Sequence, residues 1–405
     1  MLEQETHTHC DIAIVGGGMV GLAFANLLAE CDGLRVILID GGAPAALDLD
    51  RFDPRVVALS KKTEALLRKT AAWEQIIATR ACPYFDMQVW DGDGTADIHF
   101  DCAETDQDNL GHIVENSVLV HALQSALSRV DMRYHTKVEA FTHEGEQSLI
   151  TLSNGDVVAA SLLVAADGAH SCLRDLAGFQ IREWDYGHSA IVTTVQCEKP
   201  HQHTAWQRFS SDGPLAFLPL TKTPDGQHSS EENLCSIVWS IKHALAESLM
   251  ALDDEAFAAR LTRTFESTLG KVSCYDRRLS FPLTQRHATR YTQPGIVLVG
   301  DAAHTIHPLA GQGANLGMYD VGVLAEEVSR AWRRGVPLHD ASVSKRYERR
   351  RQSHNLIAMS TMEGFKRLFG SESLPLRWLR NEGLRRVNSM PFIKQKFSLL
   401  ASGRL

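Results

Sequence analysis

Residues Asp11–Gly21 read DIAIVGGGMVG, a short apolar strand running straight into a glycine-rich turn. The following segment, LAFANLLAE, has helical spacing, and Val36–Ile39 form a second apolar strand that ends at Asp40. Strand, GxGxxG turn, helix, strand and an acid about 20 residues on is the arrangement that binds a dinucleotide. Gly16, Gly18 and Gly21 let backbone approach a pyrophosphate, with Met19 and Val20 beside them, and the helix start offers it unpaired N–H groups. Asp40 is then placed to hold a ribose hydroxyl. A glycine turn that merely packs helix on strand leaves Asp40 without a purpose.

Both FAD and NAD use this turn, so later segments must discriminate. LLVAADGAHSCLR (Leu162–Arg174) is another buried strand, ending in Ala-Asp-Gly and thus at Asp167. GDAAHTIHPLAGQGANLGMYD (Gly300–Asp320) follows the apolar run Ile296–Val299 and places Asp301 at a strand end. A chain that returns twice more to one nucleotide, each time with a carboxylate, points to a long ligand. FAD fits that better than NAD. The Pro and glycines after His307 then lead into a helix start near Gly313, Ala314 and Asn315.

Composition bounds the alternatives. The 405 residues exceed one ordinary core, which predicts two domains. With 44% hydrophobic and 22% charged residues the chain reads as soluble and globular. A net charge of -8 argues against nucleic acid as a partner. Eight scattered cysteines without a CxxC pair read as reduced thiols in a cytoplasmic protein, with no metal site. The opening MLEQETHTHC is polar, unlike a secretion signal, and no apolar run reaches the length of a spanning helix. Asp301, His304 and His307 lie across a turn and read as pocket-lining rather than as metal ligands. Ser171 lacks a GxSxG elbow, so a hydrolase has no support.

The GxGxxG, ADG and GDAAH segments, in this order and spacing, resemble the single-component flavin aromatic hydroxylases of the para-hydroxybenzoate hydroxylase group. PRVVALS (Pro54–Ser60), LGHIVENSVL (Leu110–Leu119) and HTIHPLAGQGANLG (His304–Gly317) resemble the ubiquinone-biosynthesis ring hydroxylases. CPYFDMQVWD (Cys82–Asp91), EWDY (Glu183–Tyr186) and CSIVWS (Cys235–Ser240) resemble the UbiI or VisC branch, which acts on polyprenylphenol at ring carbon 5. The match runs over essentially the whole chain.

The resemblance implies that Gly16, Gly18, Met19, Val20 and Gly21 lie on the ADP half of FAD and Asp40 on its ribose, although the family commonly has Glu there. It implies Arg55 and Asn116 near the flavin and Asp167 near FAD and the nicotinamide. Gly300 and Asp301 fall at the ribityl chain, and the backbone of Gly311, Gly313, Ala314 and Asn315 at the pyrimidine edge. His307 and Pro308 are the candidates for the reactive face. The implied reaction uses NADPH or NADH transiently, activates O2 as a flavin C4a-hydroperoxide, and hydroxylates a polyprenylphenol-type lipid. Hydroxylation at ring carbon 6 or 1 is the alternative within the family, and a non-catalytic flavin-bound member of a quinone-biosynthesis complex the alternative outside it. None of the seven tryptophans sits in the WxWxIP segment of a tryptophan-type halogenase.

The expected fold is α/β, a Rossmann-like FAD-binding domain interleaved with a β-sheet substrate domain, plus C-terminal helices. Residues 1–80, 101–180 and 285–345 form the first, 81–100 and 181–284 the second. Strands are expected over His188–Glu198, Leu215–Leu220 and Leu234–Ile241, with a polar loop around Asp225–Asn233. Residues 346–405 form a basic helical segment, in which Met359, Met362, Phe365 and Phe369 mark an apolar face. From Ala341 onward 14 Lys and Arg stand against four acids. Interleaved with Leu374, Trp378 and Phe392, they suit peripheral membrane contact or docking to a quinone-biosynthesis complex.

Overall fold

The computed structural model describes residues 7–92, 94, 97–105, 107–223, 232–306 and 312–369. Its first sheet grows from the apolar strands read above. β1 (Thr8–Val15) pairs in parallel with β2 (Val36–Ile39) on one side and with β11 (Val157–Ala165) on the other. Such strands are covered on both faces, which is why they are continuous Val, Ile, Leu and Ala rather than alternating. β8 (Val130–Arg133) extends the sheet beyond β2. β11 takes β10 (Gln147–Leu152) antiparallel along its first half and β19 (Ile296–Leu298) parallel along its second. β9 (Val138–Glu144) and β18 (Thr292–Gln293) complete the sheet.

The register decides where the chemistry goes. Val15 lies opposite Ile39 and Ala165, and Ala165 opposite Leu298, so the strands end in one row. The next residues along are Gly16, Asp40, Ala166–Asp167 and Val299–Gly300–Asp301. Three motifs dispersed over 285 residues of sequence therefore share one sheet edge, where open α/β sheets bind ligands. Helix α1 (Met19–Leu27), α4 (Asn116–Ser125) and the long α8 (Gln312–Arg333) pack around this sheet, burying Leu22, Phe24, Leu119, Met318, Val321 and Leu324.

A small antiparallel sheet, β3 (Val56–Ser60), β7 (Gly111–Glu115) and β4 (Ala81–Tyr84), lies between the first sheet and a third. α2 (Lys61–Leu67) and α3 (Ala72–Thr79) follow β3, and Ser60 caps α2 by accepting the Thr63 N–H. Among the described residues the third sheet has nine strands: β5 (Asp86–Asp91), β6 (Asp97–Asp101), β12 (Ile181–Cys197), β13 (Thr204–Phe209), β14 (Leu215–Pro219), β15 (Leu234–Lys242), β16 (Val272–Cys274), β17 (Leu279–Ala288) and β20 (His304–Thr305). α6 (His243–Met250) and α7 (Asp254–Thr264) cover one face, where Phe257, Leu261 and Phe265 meet Phe217, Ile237 and Trp239. α5 (Cys172–Leu176) follows the ADG segment, and α9 (Ala341–Phe369) closes the described chain.

The strand expected at His188 begins seven residues earlier. The EWDY segment belongs to β12, with a register shift between Asp185 and His188 where Gly187 adopts φ +67°. That bulge lets one long strand serve β17 on both sides of a bend. The loop around Asp225 falls largely outside the described residues. All eight cysteines are free thiols. No helix among the described residues is long and apolar enough to cross a membrane.

Candidate active site

The Gly16–Gly21 turn is built so that only hydrogen fits at two of its positions. A Cβ on Gly16 would lie 2.3 Å from the Ala166 carbonyl oxygen, and one on Gly21 would lie 2.0 Å from the Gly16 oxygen. Those contacts press strand, turn and helix together. Gly18 is the opposite case: a Cβ there would meet nothing within 4 Å, and the residue caps α1 without any side-chain bond. No N-cap side chain takes up the first-turn N–H groups of α1, which leaves them for an incoming diphosphate. The Asp40 carboxylate accepts from the backbone N–H groups of Gly17 and Gly42. It fixes the turn as well as standing at the end of β2. Val20 packs against Gly300 and Gly317, where added Cβ atoms would come within 3.2 and 2.8 Å of it, so α1 is locked to α8. Met19 is partly buried against the core.

Asp167 accepts the Leu173 N–H through Oδ2 at 3.2 Å, while its Oδ1 is buried with no hydrogen-bond partner among the described residues. Burial raises this carboxyl above its usual range, against the hydrogen bonds from Ser171 and the backbone. An orphaned buried oxygen beside an open glycine turn is a place for a ligand's donor group. Asp301 sits in a single 3₁₀ turn, Gly300–Ala302, entered through Gly300 at φ +57°. Desolvation pushes its carboxyl up, with the charge of His304 acting against it. Arg55 is exposed beside Asp53, and the Asn116 N–H bonds to the Arg55 carbonyl at 2.9 Å, so those two residues meet at the start of α4.

At the start of α8, Gly313 has no neighbour nearer than 3.8 Å to an added Cβ, and no acid stands in the first turn. Asn315 is fully buried and joins three elements. It accepts from the Ser60 N–H and the Thr63 hydroxyl, and donates to the Ala58 carbonyl at 2.8 Å. The helix start is thereby fixed to β3. His307, Pro308 and Gly311 lie outside the described residues. Among the sequence-predicted positions that are described, the strand-end row brings together Gly16–Gly21, Asp40, Asp167, Gly300 and Asp301.

Beside β3 lies an apolar cavity. Val56, Ala58 and Ile113 wall it on the small sheet, and Ala216, Leu218 and Val238 on the large one. Alternation puts the cavity on the face opposite the Phe217–Ile237–Trp239 core. This is the pocket the strand pattern could not resolve, because residues facing a cavity and residues facing a core look alike in sequence.

Sequence reasoning also missed a buried polar network. Asp320 on α8 accepts the Gly300 N–H at 3.1 Å and the His304 Nε2–H through one oxygen. Through the other it accepts Arg351 Nε at 2.8 Å and Asn355 Nδ2 at 3.1 Å. Arg351, counted above among the basic residues suited to membrane contact or docking, is only 4% exposed, and Arg350 pairs with Glu326 and Glu327. The correction has a plain cause: each cation finds its acid on α8, 23 to 31 residues back, which local charge patterning cannot show. α9 therefore clamps the loop that carries Asp301. Met359 joins Ile306, Leu316 and Tyr319 in a small apolar cluster, while the side chains of Met362, Phe365 and Phe369 lie outside the described ones.

Burial alone would raise the Asp320 pKa, but the charges and hydrogen bonds of His304 and Arg351 outweigh it and hold it at about 2, below the ordinary 3.8. A carboxyl depressed in the folded state stabilises the fold above its ordinary pKa and loses that contribution as pH falls through the folded value. Acid denaturation should accordingly weaken the protein between about pH 4 and pH 2, and Asp320→Asn should flatten that dependence. Circular dichroism against pH compares the two; equal slopes would remove Asp320 from the account.

Cys82, His201 and Glu232 also converge, with ligand-type atoms within 4.8 Å of one another. Both His201 nitrogens are engaged, Nε2 with the Leu220 carbonyl and Nδ1 with the His203 N–H, each at 3.0 Å. His201 thus has no ring nitrogen left for a metal ion, while Glu232 Oε2 is buried with no hydrogen-bond partner among the described residues.

FAD fits the strand-end site on three observations: the open face at Gly18, the orphaned Asp167 oxygen, and the packing of the first turns of α1 and α8 on Gly300 at that edge, through Val20 and Gly317. Asp301→Ala should weaken FAD retention by about tenfold or more, the worth of a hydrogen bond to a charged group. Flavin content after gel filtration checks it, and unchanged content would clear Asp301 of the role.

Comparison with known proteins agrees with this geometry. The family model described as FAD binding domain matches residues 9–355. The 3-demethoxyubiquinol 3-hydroxylase of Escherichia coli (strain K12) is 38% identical over 402 residues, covering 98% of this chain and 100% of that protein. The ubiquinone hydroxylase UbiL of Rhodospirillum rubrum is 36% identical over 398 residues, covering 98% and 90%. Among solved structures, p-nitrophenol 4-monooxygenase PnpA from Pseudomonas putida DLL-E4 superposes with a TM-score of 0.77 at 20% identity, covering 98% and 99%, a likeness of fold.

Proposed function

Because this chain belongs to the FAD binding domain family, we propose that it hydroxylates a polyprenylphenol intermediate of ubiquinone biosynthesis at ring carbon 5. It is a flavin-dependent monooxygenase of the ubiquinone-biosynthesis hydroxylase type, with FAD as cofactor and NAD(P)H as reductant. The observation that carries the substrate reading is the apolar cavity whose wall, at Ala58, is bonded through Asn315 to the start of α8. An aromatic ring in that cavity would lie beside the helix start that serves the flavin. The segments CPYFDMQVWD, EWDY and CSIVWS support carbon 5.

Bound FAD would supply the electron transfer and the dioxygen activation. The chain's residues would bind, orient and exclude water. The turn at Gly16–Gly21 would take the diphosphate on backbone N–H groups, while Asp40, Asp167 and Asp301 would accept hydroxyl groups along the cofactor. The start of α8, free of acids and with Gly313 bare, would place positive potential where reduced flavin carries negative charge. The apolar walls of the cavity would keep water from the reacting ring. His307 and Pro308 remain our candidates for the face where the ring is held, Pro308 through its carbonyl.

A second reading, hydroxylation at the position named for the Escherichia coli relative, is favoured by its 38% identity over the full length. Mass spectrometry of the quinone intermediate that accumulates in a deletion strain separates the two. An intermediate lacking only the carbon 5 oxygen supports the first reading, and a demethoxyubiquinol supports the second.

The exposed Leu356 and Ile357 on α9, together with the basic residues beyond it, support peripheral contact with a membrane holding the lipid substrate. Removal of residues 374–405, which lie outside the described ones, should reduce liposome binding several-fold. Unchanged binding would remove this part of the reading.

A further inference from the structure

Three polar side chains stand in the otherwise apolar cavity: Tyr84 from β4, Gln207 from β13 and Ser240 from β15. Gln207 and Ser240 are buried, at 9% and 2% exposure. Neither the Tyr84 hydroxyl, the Gln207 amide nor the Ser240 hydroxyl makes a hydrogen bond to any described residue. A few polar groups converging in an otherwise apolar cavity are the form a small-molecule site takes, and these three point to a ligand that engages them.

Their arrangement limits the ligand. Gln207, Ala216 and Val238 stand in one row across β13, β14 and β15, and Ser240 lies two residues along β15 from Val238, on the same face. Tyr84 approaches from the small sheet on the other side. Burial pushes its hydroxyl up to about 12, so it is neutral and donates at working pH. Gln207 can both donate and accept, and Ser240 can do either. The complement is a flat apolar body bearing at least two separated oxygen substituents.

We propose that Tyr84, Gln207 and Ser240 grip the oxygen substituents of the substrate ring and so determine which ring carbon is hydroxylated. The inference rests on the ring-hydroxylase reading above. A ring held at two separated points cannot rotate about its tail axis, and a single misplaced ångström at the reacting carbon is enough to uncouple such chemistry. The apolar remainder, Val56, Ala58, Leu218 and Val238, would take the ring faces and the start of the tail.

The test uses the FAD-loaded full chain and a prenylphenol with a short isoprenoid tail. Tyr84→Phe, Gln207→Leu and Ser240→Ala each remove hydrogen-bonding atoms with little change in bulk, and flavin content reports that the fold has survived. Binding is read from the perturbation of the flavin absorbance, and reaction from hydroxylated product per NAD(P)H oxidised and from the ring position found by mass spectrometry. Gln207→Leu is expected to weaken binding about tenfold and to lower the product yield per NAD(P)H. Tyr84→Phe and Ser240→Ala should each weaken binding by about threefold to tenfold, and at least one variant should give a mixture of ring positions. If the parent protein binds and hydroxylates the prenylphenol and all three variants match it in affinity, yield and position, the proposal is overturned. If the parent protein neither binds nor hydroxylates any prenylphenol, the ring-hydroxylase reading falls, and this inference with it.

Discussion

Gly18→Asp is expected to give a folded protein that purifies without flavin. The space around this residue makes the two halves of that statement separable: an added Cβ meets nothing within 4 Å, so the apoprotein has room for the side chain. Gly18 nevertheless caps α1, and the carboxylate would stand where the first-turn N–H groups offer themselves to a diphosphate. Like charge at close range, together with lost access to those donors, should weaken FAD by on the order of a hundredfold or more. Circular dichroism and the thermal midpoint of the apoprotein should stay near those of the parent. Gly21→Val is the contrast, because its Cβ would lie 2.0 Å from the Gly16 oxygen and must disturb the fold itself. Flavin retained at the parent level in Gly18→Asp would mean that the diphosphate is not held at this turn.

The second large effect is expected at Arg351. Its guanidinium and the Asp320 carboxylate are both buried, 2.8 Å apart, and Arg351 also bonds to Asn355. Arg351→Met leaves an anion in the interior with less compensation, which costs about 3–5 kcal/mol. Adding Asp320→Asn should recover part of that loss, because the orphaned charge is then removed. The same network holds the Gly300 N–H, so FAD should also leave the Arg351→Met protein faster. Urea midpoints and the rate of flavin release after dilution measure both. A stability change below about 0.5 kcal/mol would show that the network is incidental, since surface substitutions away from such features stay in that range.

These expectations differ in how visible their basis is in the sequence. β1, the glycine turn and β2 are legible because each is local: an apolar run, a glycine spacing, a second run. Asp167 and Asp301 could be placed at strand ends for the same reason, and the parallel register explains why they meet. The strands of the third sheet were legible within a few residues, apart from the start of β12, where a bulge hides two strand segments as one. Long-range pairing was not legible. Arg351 reads as one more cation in a basic helix until Asp320 is found opposite it, and Asn315 reads as part of a backbone turn until its side chain is seen joining Ala58 and Ser60. Tyr84, Gln207 and Ser240 come from three strands that are neighbours only in space. Which of two alternating faces looks into a cavity depends on what packs opposite, and no strand carries that information alone.

The central claim is that the strand-end site and the adjoining cavity together insert oxygen into a phenolic ring. The most direct measurement supplies the FAD-loaded protein with NAD(P)H, a short-tailed prenylphenol and isotopically labelled dioxygen, and analyses the product by mass spectrometry. The account predicts one added oxygen atom carrying the dioxygen label, with consumption of NAD(P)H stimulated by the phenol. An unchanged phenol, or a product whose oxygen came from water, would contradict it.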